Sequence, residues 1–580
     1  MGDRRNDRDC HRAGLASGLR DRTRHSQATP SPGGAGVTTT SEGGVGRASL
    51  VLASGTLVSR VLGFISAVML TTTLGALGSG ANTFALANQL PNNIYAIVAG
   101  GVLSAVLVPQ IVRASIDADG GQRFINRLVT IGIVVFLVAG VVATLAAPLL
   151  VSLYAASADS SGSRGFTPDE MSLAVSFAYW CLPQVLFYAL YTLFGEVLNA
   201  RRVFGPFTWA PAVNNLVAIG GMIAFGLLFD ADVSDATAWT PEMIAVLAGT
   251  ATLGVAAQAF VLVLFWRRAG LRYRPDFRWR GAGLGATGRA AGWVFAMIIV
   301  MQIGGIVQTR VASIAATPDD ASLMVMRTAW LLFMLPHSIV VVSLVTAYLT
   351  RMSTHARDGD RESVRVDTNE AIRLTALFMT LATVGLIAVA VPFGRIFDAA
   401  AIDQIAIVLI AFVVGLVPFS VYFVMQRVFY AIDDTRTAFW LQAAHTLFFI
   451  IGALFCSLLP TAWIVPGIGL VTSAAAFFQM IIGGVALRRR IGSLDAPLIA
   501  RRTAQFIVAG AASLLTGLVI GWSLGTLGDS GFARDTVGGA AASIALIALP
   551  MIAVYGAALL VMRVPEATSA VALVRRRLNR

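Results

Sequence analysis

From Ala48 onward, long apolar stretches recur along the chain, separated by short polar segments. They lie at roughly 48–76, 83–112, 128–153, 171–199, 206–229, 243–266, 288–314, 321–350, 371–394, 404–431, 437–460, 464–487, 503–526 and 537–562. Each can supply the ~20 apolar residues that one membrane crossing needs. The pattern therefore predicts an all-α integral membrane protein with fourteen transmembrane helices. Residues 1–47 are polar, rich in Gly, Ser, Thr and Arg, and without helical periodicity, so they are expected to form a disordered, Arg-rich tail. A secretory signal is not expected, because the first apolar stretch begins only near Ala48. Residues 563–580 read as a second basic tail.

Composition agrees with this class and narrows it. Of 580 residues, 56% are hydrophobic and 13% charged, with a mean hydropathy of +0.75, whereas soluble chains carry about 45–50% apolar and about 25% charged residues. A secreted disulfide scaffold, a disordered chain and a large extramembrane catalytic domain are excluded. Cys10, Cys181 and Cys456 fall in the tail and in two apolar stretches, so no disulfide framework or Cys-based metal site is suggested. The net charge of +12 comes from arginine alone, with no lysine in the chain. The distribution of these arginines argues against nucleic acid as a partner. They cluster in the tail, between Arg267 and Arg289, between Arg351 and Arg373, at Arg488–Arg490 and at Arg575–Arg577, while alternate loops carry only Arg164, Arg395 and Arg534 among many acids. Positive loops resist translocation. Both termini are therefore expected to be cytoplasmic.

Four arginines fall inside predicted spans: Arg60, Arg310, Arg327 and Arg427. Arg427 lies about one turn from a helix end and can snorkel. Arg60 lies about 18 Å into the first helix at 1.5 Å per residue. An arginine at that depth costs about 2.5–3.5 kcal/mol on insertion scales, so it calls for a wet cavity or an anion. Arg310 and Arg327 flank one short external loop, where Arg310 has Asp319 and Asp320 within reach as partners and Arg327 can turn outward. Alternatively, all three arginines line a cationic path suited to a phosphate-bearing substrate, since guanidinium forks bind phosphate oxygens bidentately.

An internal echo suggests duplication. Pro183, Phe194 and Arg201 recur as Pro418, Phe429 and Arg436, and Leu90-Pro91 with Ile94 recurs as Leu335-Pro336 with Ile339. The spacing fits two six-helix lobes in a parallel pseudo-repeat, 48–266 and 288–487, with helices 503–562 appended. Two such lobes enclose a cavity that can open to either side.

No catalytic or metal motif is present: there is no GxSxG, no Walker lysine and no HExxH. Catalytic residues, metals and cofactors are accordingly not expected, and the chain reads as a transporter. The unusual groups are buried amides. Helix two carries Asn82, Asn88, Gln89, Asn92 and Asn93 around Pro91, followed by Gly100-Gly101. A proline removes a backbone donor, which membrane helices tolerate where protein or cavity water satisfies the freed carbonyl. Pro91, Gly100, Gly101 and Pro336 are thus expected hinge positions. The alternative is a kinked helix whose amides bond neighbouring helices, and Asn214, Asn215, Gln302 and Gln308 are open to the same two readings.

Five segments, GTLVSRVLGF from Gly55, ANQLPNNIYAIVAGGVLSAVLVPQ from Ala87, EVLNARRVFGPFTWAPAVNN from Glu196, WLLFMLPHSIVVVSL from Trp330 and FYAIDDTRTAF from Phe429, resemble in order and spacing the MurJ/MviN family of lipid II flippases, within the MOP exporter superfamily. The likeness spans roughly 48–562. It implies a multi-pass protein of the bacterial plasma membrane that moves the undecaprenyl-diphosphate-linked precursor lipid II from the cytoplasmic to the outer leaflet by alternating access. It implies membrane lipids as further partners, with cell-wall synthesis proteins as candidates. The family's first-helix arginine matches Arg60 after Ser59. Other charged cavity positions of the family fall on Ser66, Asn82, Tyr95, Gly100 and Leu331 here, with Arg327 one turn from the last. The expected substrate-binding set is Arg60, Ser59, Asn82, Asn88, Asn92, Arg310 and Arg327.

Two other functions compete with lipid II export: transport of another polyprenyl-linked saccharide, and a non-transporting scaffold that recruits wall-synthesis enzymes through its tail or its 351–373 loop. Deleting residues 1–47 separates the scaffold from the transporter. A flippase keeps most of its activity in a complementation assay, whereas a scaffold acting through that tail fails.

Overall fold

In the computed structural model the described residues are 42–102, 121–158, 164–201, 203, 205–230, 233–268, 270–277 and 288–568. Residues 1–47 and 48–580 form separate units, and of the first only the beginning of the first helix is described. That helix, α1, runs Glu42–Leu74, so its start lies within the segment expected to be a non-helical tail. Among the described residues the secondary structure is helical, apart from one isolated bridge between Ser157 and Phe166.

The first half of the chain continues with α2 (Ser79–Val102), α3 (Gln122–Leu145), α4 (Ala147–Tyr154), α5 (Pro168–Cys181), α6 (Gln184–Ala200), α7 (Gly205–Leu228) and α8 (Pro241–Trp266). The second half begins with α9 (Gly288–Ser313) and α10 (Leu323–Pro336), which passes through a π-helical turn, His337–Val341, into α11 (Val342–Arg357). Then follow α12 (Arg361–Ala388), α13 (Ala390–Phe397), α14 (Ile402–Val413), α15 (Leu416–Ala431), α16 (Thr435–Cys456) and α17 (Thr461–Ile491). The chain closes with α18 (Ala496–Ser523), the single turn α19 (Phe532–Asp535) and α20 (Val537–Val561). Twelve helices among the described residues are long and apolar enough to cross a membrane, or thirteen when the pair α14 and α15, bent by 43°, counts as one span. The expected count was fourteen. The stretch expected at 83–112 is not among the twelve: only its α2 portion is described, and that portion carries the amide cluster.

Local chemistry explains where these helices start and stop. A capping box opens α5: the Glu170 amide donates to Thr167 Oγ1 and the Thr167 amide to the Glu170 carboxylate. Asp360 caps α12 by accepting from the Ser363 amide at 3.0 Å, and Asp434 caps α16 by accepting from the Thr437 amide at 3.1 Å. Gly75 and Gly492 follow α1 and α17 with positive φ, where a side chain would be strained.

Two kinds of break recur. Ala146 interrupts the third predicted span and Val389 the ninth, and each is followed by an eight-residue helix, α4 and α13. Leu182-Pro183 interrupts the fourth span and Val414-Gly415 the tenth. The π-turn directly follows Pro336 and is pinned by His337, whose Nδ1 pairs with Ser420 Oγ at 2.9 Å and whose ring meets Phe419 and Phe423 edge-on. Pro91, by contrast, lies inside a continuous α2.

The segment 351–373, named above as a loop between spans, is helical: it forms the ends of α11 and α12, joined by a three-residue turn. Asp367 is buried and takes Arg351 at 2.6 Å and His355 at 3.6 Å, which explains why so many charges are held in regular helix. The basic tail expected from 563 is anchored at its start: Glu566 pairs with Arg373 of α12 and Arg502 of α18. Beyond the far ends of α12 and α18, Arg395 of α13 donates to the Arg534 and Asp535 carbonyls of α19. The appended pair α18 and α20 is thus fixed to the second half at both ends. Residues 1–41 and 569–580 lie outside the described residues.

At the break before α15 the helices approach closely. A Cβ on Gly415 would lie 2.6 Å from Ser473 Cα, whereas one on Gly220 meets open space. Gly415→Ala should therefore cost about 1–3 kcal/mol through overpacking and lower the thermal midpoint in detergent. Gly220→Ala should be neutral or stabilise by up to about 1 kcal/mol.

Candidate functional site

The two halves of the chain meet along α2, which packs on α5 and α6 of its own half and on α9 and α10 of the other. At one end of the bundle the halves are stitched together. Asn82 Oδ1 accepts the Met324 amide at 3.0 Å, Asp398 Oδ2 accepts the Ala76 amide at 2.6 Å, and Ser313 Oγ accepts the Ala156 amide at 2.8 Å. The Gly165 amide donates to the Ile314 carbonyl at 3.0 Å. Two guanidiniums complete the seam: Arg310 donates to the Ser152 and Ala155 carbonyls at 2.6 and 2.8 Å, and Arg164 to the Ser457 and Leu459 carbonyls at 3.0 and 2.9 Å. Further along, Gln302 Nε2 donates to the Asn93 carbonyl at 3.1 Å, and Phe64 packs edge-on against Phe393 and Phe397.

Beyond this seam the facing helices carry exposed polar groups. Arg60 is exposed and lies one turn before Phe64 on the same face of α1, the face turned toward the other half. On α2, Gln89 and Asn92 are exposed and Asn88 is half-buried. On α10, Arg327 keeps exposed surface although protein atoms crowd around it, among them Cys181 and Tyr188 of α5 and α6 in the opposite half. Below the π-turn, exposed Ser343, Thr346 and Thr350 follow one another at helical spacing on α11. Their hydroxyls donate to carbonyls one turn back, so they add polarity without leaving a donor unmet.

The expected substrate-binding residues therefore separate into two groups. Arg60, Asn92 and Arg327 are exposed, on helices that meet the other half. Arg60 and Arg327 have no acidic partner among the described residues. The others are engaged elsewhere. The Ser59 carbonyl accepts Asn215 Nδ2 at 3.0 Å, which fixes α1 to α7, and Asn88 accepts Gln184 Nε2 at 3.4 Å. Asn82 is 2% exposed, with its Nδ2 on the Leu77 carbonyl and its Oδ1 on Met324. Arg310 takes carbonyls of the first half, not Asp319 or Asp320; Asp320 instead accepts the Thr317 hydroxyl. Of the expected hinges, Pro91 is a buried member of α2, Gly100 and Gly101 lie in its last turn, and Pro336 introduces the π-turn. Arg427 stacks on Phe423 and Tyr430, with its guanidinium carbon 4.5 and 5.5 Å from the two ring centres.

Sequence reasoning missed Arg164, Asp398 and Ser313. The available signal for Arg164 was its being a lone cation in an otherwise acidic loop. The FYAIDDTRTAF segment has a structural explanation. Its Tyr430–Asp434 portion lines a cavity of about 760 Å³ within the second half, and Asp434 both caps α16 and pairs with Arg490 at 2.8 Å.

The family model described as "Lipid II flippase MurJ" matches residues 70–529. A probable lipid II flippase MurJ of Haemophilus influenzae is 26% identical over 410 residues, covering 66% of this chain and 75% of that protein. One from Vibrio cholerae is 24% identical over 501 residues, covering 83% and 89%. Among solved structures, a lipid II flippase MurJ in an inward closed conformation superposes with a TM-score of 0.67 at 18% identity, over 88% of this chain and 100% of that one. An inward-facing MATE family transporter of the MOP superfamily gives 0.57 at 17% identity, over 75% and 96%.

Removing an arginine that has no partner should cost little. Arg327→Ala is expected to stay within about 0.5 kcal/mol of the parent in thermal denaturation. Arg351→Ala strands the buried carboxylate of Asp367 and should lose about 1–3 kcal/mol.

Proposed function

Because the chain belongs to the MurJ family of lipid II flippases, and is thus a multi-pass membrane transporter, we propose that Arg60 and Arg327 are the two stations at which it holds the diphosphate of its substrate. The observation that carries this reading is one exposed guanidinium on each half of the chain, neither with an acidic partner among the described residues and each on a helix that meets the opposite half. A guanidinium without a carboxylate in hydrocarbon is costly, and a diphosphate offers the oxygens that its fork fits. Gln89, Asn92 and the Ser343–Thr350 face supply polar lining for the saccharide and peptide head, while the polyprenyl tail stays in the bilayer.

The halves 48–266 and 288–487 act as two lobes, with 503–562 fixed to the second. The recurrence of breaks at Ala146 and Val389, and at Leu182-Pro183 and Val414-Gly415, supports this division. The distribution of arginines between loops supports both termini being cytoplasmic and the stitched end facing outward. In this arrangement the substrate enters from the cytoplasmic side of a bacterial plasma membrane, Arg60 receives the diphosphate, and Arg327 takes it nearer the outer end. Opening of the stitched end then releases it. The π-turn after Pro336 lies between an upper arm joined to the first half at Asn82 and a lower arm joined to α12 at Asp367, which suits it to flexing in this exchange.

The test is Arg60→Ala at unchanged protein level. Loss of a bidentate, charge-assisted contact should weaken lipid II engagement on the order of 10- to 100-fold and abolish translocation in a leaflet-specific assay. Arg60→Lys, which keeps the charge but not the fork, should fall between. Translocation of Arg60→Ala at the parental rate would remove Arg60 from the transport path.

A further inference from the structure

Arg164 and Arg310 lie apart from the residues assigned to substrate. We infer that they form a reciprocal latch in which each half of the chain caps the carbonyl end of a helix belonging to the other, holding the stitched end shut until water replaces the caps. The inference rests on the alternating-access reading above.

The last carbonyls of a helix have no partner within it and form its negative pole. Arg310 of α9 places one guanidinium nitrogen on the carbonyls of Ser152 and Ala155, at the end of α4. Arg164, in the loop before α5, places one on the carbonyls of Ser457 and Leu459, just past the end of α16. Each cation thus bridges from one half to the other. Arg310 has Asp319 and Asp320 nearby in sequence, but an ion pair there would stay inside the second half and would not register closure. The carbonyl cap exists only when the halves meet.

The same logic extends to donors. Ser322 precedes α10 without offering a side-chain cap, and Asn82 of the other half supplies the acceptor that the Met324 amide needs. Asp398 accepts the Ala76 amide between α1 and α2, and Ser313 accepts the Ala156 amide. The hydrogen bonds of the seam are thus made largely by backbone groups near helix ends, completed by side chains from across the boundary, beside buried apolar residues of both halves such as Leu74, Ala76, Leu323 and Phe397. Such groups lose little when the contact opens, because water accepts from the same amides and donates to the same carbonyls. Arg310 is already exposed, so solvent can reach the latch without prior unfolding.

The experiment uses the full chain with Cys10→Ser and a reporter Gln89→Cys, probed by a membrane-impermeant thiol reagent in right-side-out and inside-out vesicles. Arg310→Ala and Arg164→Ala should each raise labelling from the outer side by about fivefold or more. The double variant should raise it further, and Arg310→Lys should restore part of the protection. Unchanged labelling in Arg310→Ala overturns the latch. If that variant fails to insert, Arg164→Ala decides by the same readout, unchanged labelling again overturning the latch. An increase seen only from the cytoplasmic side keeps the latch and overturns the orientation. An increase from the outside accompanied by diphosphate engagement equal to that of the Gln89→Cys parent separates the latch from the substrate site.

Discussion

A peptide group without a hydrogen-bond partner is costly in hydrocarbon, and this constraint organises the molecule. Helices solve it along their length but not at their ends, where four amides and four carbonyls remain unmet. Each break inside a span multiplies the problem. This chain breaks its third, fourth, ninth and tenth spans and widens a turn in the eighth. Such interruptions call for a neighbour to complete them, and the neighbours found are side chains of other helices: Ser473 donating to the carbonyls of Ala411 and Phe412 at 2.7 and 3.0 Å, and the residues exchanged between the halves. The packing of the bundle and the closing of one end are two results of the same requirement.

The arginines can be sorted by what satisfies them. Arg351, Arg373, Arg490, Arg502 and Arg534 face carboxylates and tie helices within the second half. Arg427 and Arg436 lie over aromatic rings. Arg164, Arg310 and Arg395 end on main-chain carbonyls. Arg60 and Arg327 have none of these partners among the described residues. With lysine absent, one residue type serves as tether, anchor, seam and ligand, and only the surroundings distinguish the roles.

Hydropathy and charge made most of the helices legible, because the bilayer imposes length and composition on each span regardless of its neighbours. The resemblance of five short segments to a transporter family was readable for the same reason that Ser59-Arg60 stood out: a cation in an apolar run has few structural excuses. The fates of the polar residues were not readable. Asn82 and Asn92 look alike in the sequence, ten residues apart on one helix, yet the first closes a seam and the second remains exposed. Arg310 could not be placed because its partners are main-chain oxygens of another helix, which leave no mark on residue identity. The breaks at Ala146 and Val389 were missed because neither position carries a residue that signals an interruption. The charges of 351–373 mark a loop between spans, but their partners across the α11–α12 turn cannot be seen along a single strand of sequence.

The π-turn at His337–Val341 has a geometric consequence. A wide turn holds one residue more than an α-helical path of the same length, and each residue rotates a helix by about 100°. The extra residue therefore sets the phase of everything after it, including the hydroxyl-bearing face of α11 and the approach of Arg351 and His355 to Asp367. Deleting a single position there would turn the lower arm by more than a quarter of a revolution while leaving its composition untouched. Length at this point is under tighter restraint than identity, and a relative with a regular helix in the same place would align with one residue missing.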